Sequence, residues 1–155
     1  CKQWLATENG ILWTEHVLFA KRLAKESGVA YYGSGNAGDA EKHPVEKSMI
    51  VSINAGRTGL NLQAWSSNFI VSPPPNGERW EQLLGRTHRD GQQADEVTFD
   101  VAGFSLEHAQ AFWQARRDSE YVEASLGSPL KMLIADHDFP TVDDVVARGT
   151  ARWRK

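Results

Sequence analysis

The sequence has little of several features that define protein classes. Its one cysteine, Cys1, excludes a disulfide within the chain. It has no apolar run long enough to cross a membrane, no internal repeat and no low-complexity stretch. Its net charge is −3, so any contact with nucleic acid has to be local rather than driven by an overall basic field. With 155 residues, 41% of them hydrophobic, the sequence indicates one globular domain with its own core.

Motifs for metal binding and for several kinds of catalysis are also missing. The five histidines show no pair with the spacing of a zinc site, and no Gly-x-Ser-x-Gly motif is present. Residues 33–38 and 88–90 match fragments of a nucleotide loop and of a kinase catalytic loop. A kinase needs Asn where this sequence has Asp95, and the nucleotide loop lacks its strand-helix-strand setting, so both interpretations are excluded.

The hydrophobic pattern predicts strands alternating with helices. Short runs rich in β-branched and aromatic residues predict strands at residues 11–14, 29–32, 49–53, 68–72 and 97–101. Helical spacing predicts helices at residues 17–27, from residue 78 onward, and from Ser105 as N-cap to about residue 126. This alternation predicts an α/β fold, with a parallel sheet of about five or six strands covered by helices. We expect residues 1–104 to form the core and residues 105–155 a helical extension of the same domain.

The most informative stretch is residues 82–92, which read QLLGRTHRDGQ. Arg86 and Arg89 lie three residues apart in a run that begins with a helical pattern, which predicts that they share one helix face with Gln82. Forked guanidinium groups suit a polyphosphate, although two arginines alone more often indicate a solvated surface. Residues 54–63, NAGRTGLNLQ, follow a predicted strand directly, at the edge of a parallel sheet where ligands bind.

Together these stretches resemble motifs V and VI of superfamily 2 helicases and translocases, particularly Snf-type chromatin remodellers and related phage helicases. The family's motif VI has the form Gln-x-x-x-Arg-x-His-Arg-x-Gly-Gln. This sequence carries every fixed position of it, as Gln82, Arg86, His88, Arg89, Gly91 and Gln92. Residues 11–23 resemble motif IV, although Trp13-Thr14-Glu15 replaces the usual Phe-Ser-Gln, and motif V has Gly56-Arg57 where the family often has Gly-Gly.

The resemblance implies a RecA-like lobe that shares an ATP site with another lobe. The family's first lobe carries a phosphate loop, Gly-x-x-x-x-Gly-Lys-Ser/Thr, which is absent here, so this sequence resembles the second, C-terminal lobe. By resemblance, Arg89 is the arginine finger, Arg86 assists it, and Gln82 positions or senses the nucleotide. Gly59 and Asn61 match motif V positions that approach the nucleotide.

The resemblance also implies contacts with nucleic acid, for which DNA is the expected form. Four residues are candidates because hydroxyl groups and amides near strand ends commonly bind phosphates, or because of their place in motif V. They are Thr14, Ser52, Thr58 and Arg57. Residues of this kind are more often ordinary loop or strand residues than phosphate contacts, and the alternative for Arg57 is a side chain that points to solvent.

The implied partners are an N-terminal RecA-like lobe of the same parent chain, nucleic acid, and ATP with Mg²⁺ held mainly by that other lobe. The sequence does not begin with Met, so we expect it to be a piece of a longer protein. Because the phosphate loop is absent, we expect this piece to be inactive by itself. The resemblance implies an intracellular location, in the cytoplasm or nucleoid, including a phage-encoded protein in a bacterial host. The alternative is a stand-alone module that binds nucleic acid or protein and has no catalysis.

Overall fold

A computed structural model describes residues 1–55, 59–103 and 105–152 of the protein, with side chains up to residue 147. Five strands form one parallel sheet. The strands are β1 (Gly10–Thr14), β2 (Ala30–Tyr32), β3 (Met49–Ser52), β4 (Ser67–Ile70) and β5 (Thr98–Val101). Their order in the sheet is β2-β3-β1-β4-β5, so β1 lies in the centre between β3 and β4. The predicted α/β fold is confirmed, with five strands.

Six α-helices and one 3₁₀ helix accompany these strands in the described part of the chain. The α-helices are α1 (Lys2–Thr7), α2 (Val17–Ser27), α3 (Gly77–Thr87), α4 (Leu106–Leu126), α5 (Lys131–Ile134) and α6 (Val142–Arg152). The 3₁₀ helix, Ala37–Lys42, lies between β2 and β3. No helix among the described residues is long and apolar enough to cross a membrane.

The central strands are buried along their whole length. All five residues of β1 and all four of β3 are buried, which is the pattern of parallel strands covered on both faces. Ile11 and Leu12 in β1 and Ile50 in β3 are fully inaccessible to solvent. On one side, Leu12 and Ile50 pack with Ala20 and Leu23 of α2. A continuous apolar run therefore marks β1 and β3, whereas the third inner strand, β4, is buried only at Asn68 and Ile70.

The chain divides into two compact units. The first contains residues 1–72 and 85–100, and it includes most of the sheet together with α1, α2 and the last turn of α3. The second contains residues 73–84 and 101–155, and it includes the beginning of α3 and all of α4, α5 and α6. The predicted division of one domain into residues 1–104 and 105–155 stays a prediction.

The second unit is built around α4, whose two ends match the sequence prediction. Ser105 caps the helix, because its Oγ accepts a hydrogen bond from the His108 N–H at 3.2 Å. Gly127 ends the helix with φ +68°, in the left-handed region that favours glycine. The segment after α5 folds back onto α4: the rings of Phe112 and Phe139 stack with centroids 4.2 Å apart.

Candidate functional site

The end of α3 and the loop that follows β3 are joined by backbone and side-chain hydrogen bonds. We call residues 86–92 the arginine turn, and the described residues between β3 and β4, 53–55 and 59–66, the β3–β4 loop. The N–H of Leu62 donates to the carbonyl oxygen of Arg86 at 3.1 Å. The Nε2 of Gln92 donates to the carbonyl oxygens of Trp65 at 3.1 Å and Thr87 at 3.0 Å. Residues 54–63 and 82–92, the two informative stretches of the sequence, are thus in contact in the folded protein.

The side chain of Gln92 joins the arginine turn to the β3–β4 loop by hydrogen bonds. The match to motif VI alone did not indicate this role. Besides donating through Nε2, Gln92 accepts a hydrogen bond from the Ala94 N–H at its Oε1, at 3.0 Å. The carbonyl of Thr87 is one of those that a helix leaves without an internal partner at its end. Gln92 supplies that partner and connects it to Trp65 in the β3–β4 loop.

Arg86 lies in a helix and Arg89 in the turn after it, which corrects the expectation that the two arginines share one helix face. Arg86 lies in the last turn of α3, and the helix ends at Thr87. Arg89 lies beyond that end, in a turn where its carbonyl accepts the N–H of Gln92 at 3.1 Å. Gly91 has φ +94°, which no α-helix contains, so the chain leaves the helical path here. The turn, rather than helical periodicity, determines the direction of Arg89.

Electrostatics nevertheless couples the two guanidinium groups. Burial lowers the pKa of Arg86 from its ordinary value, and the positive charge of Arg89 lowers it further. Arg86 is half-buried and Arg89 is exposed. In the described residues, neither forms an ion pair with a carboxylate. The turn therefore presents two guanidinium groups, which bind anions through forked hydrogen bonds, together with the carboxylate of Asp90.

The predicted nucleotide-contact residues of the β3–β4 loop lie at its surface. Gly59 is exposed and has φ +62°, a left-handed conformation for which glycine is favoured. The side chain of Asn61 is also exposed, and its backbone N–H donates to the Oε1 of Glu41 at 2.7 Å. Glu41 belongs to the 3₁₀ helix, so this contact fixes the loop from its other side. The nucleotide contacts of Gly59 and Asn61 stay predictions.

Gln82 lies in α3, one turn before Arg86, and is exposed. Its Nε2 donates to the Oε1 of Glu78 at 3.0 Å, which holds it along the helix surface. Its predicted nucleotide contact stays a prediction. Arg57 and Thr58, which we expect to contact nucleic acid, lie outside the described residues.

Thr14 and Ser52 stand side by side at the carboxyl ends of β1 and β3, where they are partners in the strand register. They are only 1% and 5% exposed. The Oγ1 of Thr14 accepts a hydrogen bond from the His16 N–H at 3.2 Å, so it stabilises the turn that leaves β1. Contact with a nucleic-acid phosphate would require exposure that this conformation does not give these side chains. Their predicted phosphate contacts stay predictions.

Comparison with known proteins adds a structural relative. No family model matches the sequence, and no curated protein matches it either. Among solved structures, the C-terminal part of the Fun30 ATPase domain is similar, with a TM-score of 0.58 and 18% identity. The chain has a RecA-like fold. The match covers 74% of this chain and 43% of that one, so the chain spans less than half of its neighbour's length.

The described residues assemble no three-ligand metal site. Within residues 1–55, 59–103 and 105–147, no three His, Cys, Asp or Glu side chains lie together in a way that could hold a metal ion. A magnesium ion that shares its ligands with a nucleotide needs only one or two carboxylates, so magnesium binding in the parent protein stays a prediction.

Gly91 provides a stability test of the arginine turn. Replacing it with alanine is expected to lower the free energy of unfolding by about 1–2 kcal/mol, because φ +94° is unfavourable for any residue with a Cβ. The added Cβ would also lie 2.9 Å from the Nε2 of Gln63, which can move aside. Unfolding in urea, followed by circular dichroism, measures the change.

Gly85 is the matched control, since it lies within α3 and a Cβ added there meets no atom within 4 Å. Gly85→Ala is expected to raise stability by about 0.5–1 kcal/mol through helix propensity. Equal effects of the two substitutions would contradict the turn geometry described for Gly91.

Proposed function

We propose that this chain is the C-terminal RecA-like lobe of a nucleic-acid-dependent ATPase, either a helicase or a DNA translocase. The observation that carries the proposal is the arginine turn. Arg86 lies in the last turn of α3, and Arg89 follows three residues later. Hydrogen bonds from Leu62 and Gln92 join the arginine turn to the β3–β4 loop. Two cations held together are stabilised by a ligand that offers several anionic oxygens, as a triphosphate does.

In this proposal the two arginines act on the phosphate that is transferred to water. Exposed Arg89 is the finger that neutralises charge on the γ-phosphate in the transition state, and half-buried Arg86 is a fixed second donor. Such a finger contributes about 10³–10⁵ in rate. Gln82 positions the nucleotide from the preceding turn of α3, and Gly59 and Asn61 approach it from the β3–β4 loop.

A second lobe completes the proposed site. The similar solved structure is the C-terminal part of an ATPase domain, and this chain covers 43% of its length, which supports an N-terminal lobe in the parent protein. That lobe would bind ATP through its phosphate loop and hold Mg²⁺, which assists by neutralising phosphate charge. This chain's own contribution is to orient two guanidinium groups toward the phosphate and to exclude water around half-buried Arg86.

Motion along nucleic acid follows from the same contacts. The arginines hold the γ-phosphate only until it is released, so hydrolysis lets the two lobes separate. When the two lobes bind the nucleic-acid strand alternately, the protein moves along it. We propose that Arg57 and Thr58, which follow β3 in the sequence, form part of the nucleic-acid track. Thr14 and Ser52 belong to it as well, although their hydroxyl groups would first have to become exposed.

The proposal predicts that activity requires both lobes. The 155-residue chain alone is expected to bind ATP poorly and to hydrolyse none, whereas the parent protein hydrolyses ATP and is stimulated by nucleic acid. Release of phosphate from ATP, with and without duplex or single-stranded DNA, measures both. Hydrolysis of ATP by the 155-residue chain alone would contradict the proposal that both lobes are required. A parent protein that binds DNA without hydrolysing ATP would favour a binding module.

A further inference from the structure

We infer that Asn68 and Thr87 are positioning residues that fix the direction of Arg86, an inference that rests on the proposed function. Neither residue belongs to the fixed positions of the motifs, and neither can touch a ligand in this conformation. Both are completely buried, with 0% of their surface exposed. Their contribution to the proposed reaction would pass through the backbone at the end of α3.

Asn68 lies in β4 and uses every hydrogen-bonding atom of its side-chain amide. Its Oδ1 accepts from the Trp13 Nε1–H at 3.0 Å. Its Nδ2 donates to the Thr87 Oγ1 at 3.3 Å and to the Thr98 carbonyl oxygen at 3.2 Å. One buried amide therefore connects β1, β4, the beginning of β5 and the last residue of α3.

Hydrogen bonds hold two successive carbonyl groups at the end of α3, those of Arg86 and Thr87. The Arg86 carbonyl accepts the Leu62 N–H at 3.1 Å, and the Thr87 carbonyl accepts the Gln92 Nε2–H at 3.0 Å. Asn68 holds the Thr87 side chain from inside the core. With these three contacts the last turn of α3 has little freedom to rotate, which sets the direction in which the Arg86 side chain leaves the helix.

The polar character of this contact is what suggests a positioning role. Apolar side chains of the same size would fill the core equally well, because buried hydrogen bonds add little net stability when their formation is balanced against lost hydration. A fully satisfied buried network instead favours one arrangement, since every alternative leaves a donor or an acceptor unpaired. Here the selected arrangement is that of the residue next to Arg86.

Thr87 allows a test that keeps the fold, because valine has the shape of threonine without the hydroxyl group and serine keeps the hydroxyl group. In the parent protein we expect Thr87→Val to lower kcat for ATP hydrolysis about 10²-fold, the effect of a small misplacement of a catalytic group. The KM for ATP should change little, because ATP is bound mainly by the other lobe. Thr87→Ser should restore most of kcat.

A double-mutant comparison separates positioning from general destabilisation. If Thr87 acts through Arg86, Thr87→Val should cause no further loss of kcat in a protein that already carries Arg86→Ala. Losses that multiply, or a serine variant as impaired as the valine variant, would overturn the inference. If Arg86→Ala and Arg89→Ala both leave hydrolysis unchanged, the proposed function fails instead.

A spectroscopic measurement on the 155-residue chain tests the inference without any activity. The Nε–Hε NMR signal of half-buried Arg86 should shift or broaden in Thr87→Val and stay near its original position in Thr87→Ser. The thermal midpoint of each variant shows how far the fold itself is affected. An Arg86 signal that is the same in all three proteins would overturn the inference, whatever the outcome for ATP hydrolysis.

Discussion

Replacing Arg89 with alanine in the parent protein is expected to lower nucleic-acid-stimulated kcat about 10³-fold, while ATP still binds. Arg89 is exposed and lies after the end of α3, so its removal leaves the helix and the core intact. The loss falls on kcat because the guanidinium group stabilises charge that develops on the transferred phosphate, rather than the bound nucleotide. Steady-state phosphate release and equilibrium ATP binding, measured on the same preparation, give the two quantities.

Two further variants make this result specific. Arg89→Lys keeps the positive charge and loses the fork, so it should recover only part of the rate. Arg22→Ala removes an exposed arginine of α2 that is paired with Glu26 at 2.8 Å, and it should leave the rate unchanged. If Arg89→Ala has the same rate as the original protein, or if Arg22→Ala is equally slow, Arg89 is not the finger.

Replacing Gln92 with leucine is expected to lower the free energy of unfolding by about 2–4 kcal/mol. Leucine has a similar size but leaves the carbonyl oxygens of Trp65 and Thr87 and the N–H of Ala94 without the partners that Gln92 supplies. Most of this loss of stability should come from the carbonyl oxygen of Trp65, because Trp65 is buried. Unfolding of the 155-residue chain in urea, analysed by linear extrapolation, provides the measurement.

The neighbouring glutamine is a matched control for this substitution. Gln93 is exposed, and its Nε2 donates only within the turn, to the Gly91 carbonyl at 3.0 Å. Gln93→Leu should change the free energy of unfolding by no more than about 0.5 kcal/mol. If Gln92→Leu and Gln93→Leu destabilise the protein equally, the hydrogen bonds of Gln92 do not hold the arginine turn to the β3–β4 loop.

Much of the fold was predictable because its signals are local. The apolar runs of β1 and β3 indicated buried strands, and both strands are buried throughout. Helix α2 has the predicted bounds, Val17–Ser27, and ends at Gly28 with φ +72°. The N-cap of α4 at Ser105 was likewise visible in the sequence. In each case the determining residues lie within or beside the element itself.

Other elements depend on contacts with distant residues and were not predicted. Helix α1 (Lys2–Thr7) is short and has no side-chain cap, and its Leu5 is buried in the core formed with α2. The 3₁₀ helix Ala37–Lys42 begins within residues 33–38, and no helical pattern in the sequence predicted it. Such short segments gain their stability from packing, for which propensity and periodicity give little indication.

In the candidate site, too, local features were predictable and contacts between distant residues were not. The position of residues 54–63 and 82–92 after strands of a parallel sheet indicated one edge for both, and hydrogen bonds between them agree with that. The motif match did not predict that α3 would end at Thr87, since that end depends on Gln92 and on its partner Trp65, 27 residues earlier in the chain. The burial of Thr14 and Ser52 likewise depends on the strands that surround them.

The claim that the arginine turn receives the transferred phosphate is tested most directly by equilibrium binding of a transition-state analogue. In the parent protein, affinities for ADP alone and for ADP with aluminium fluoride are compared between the original sequence and the double variant Arg86→Ala, Arg89→Ala. We expect the analogue to bind about 10²-fold or more weakly to the double variant, because hydrogen bonds between charged groups are lost. Affinity for ADP alone should stay the same. Equal losses for both ligands, or no loss for either, would contradict the account.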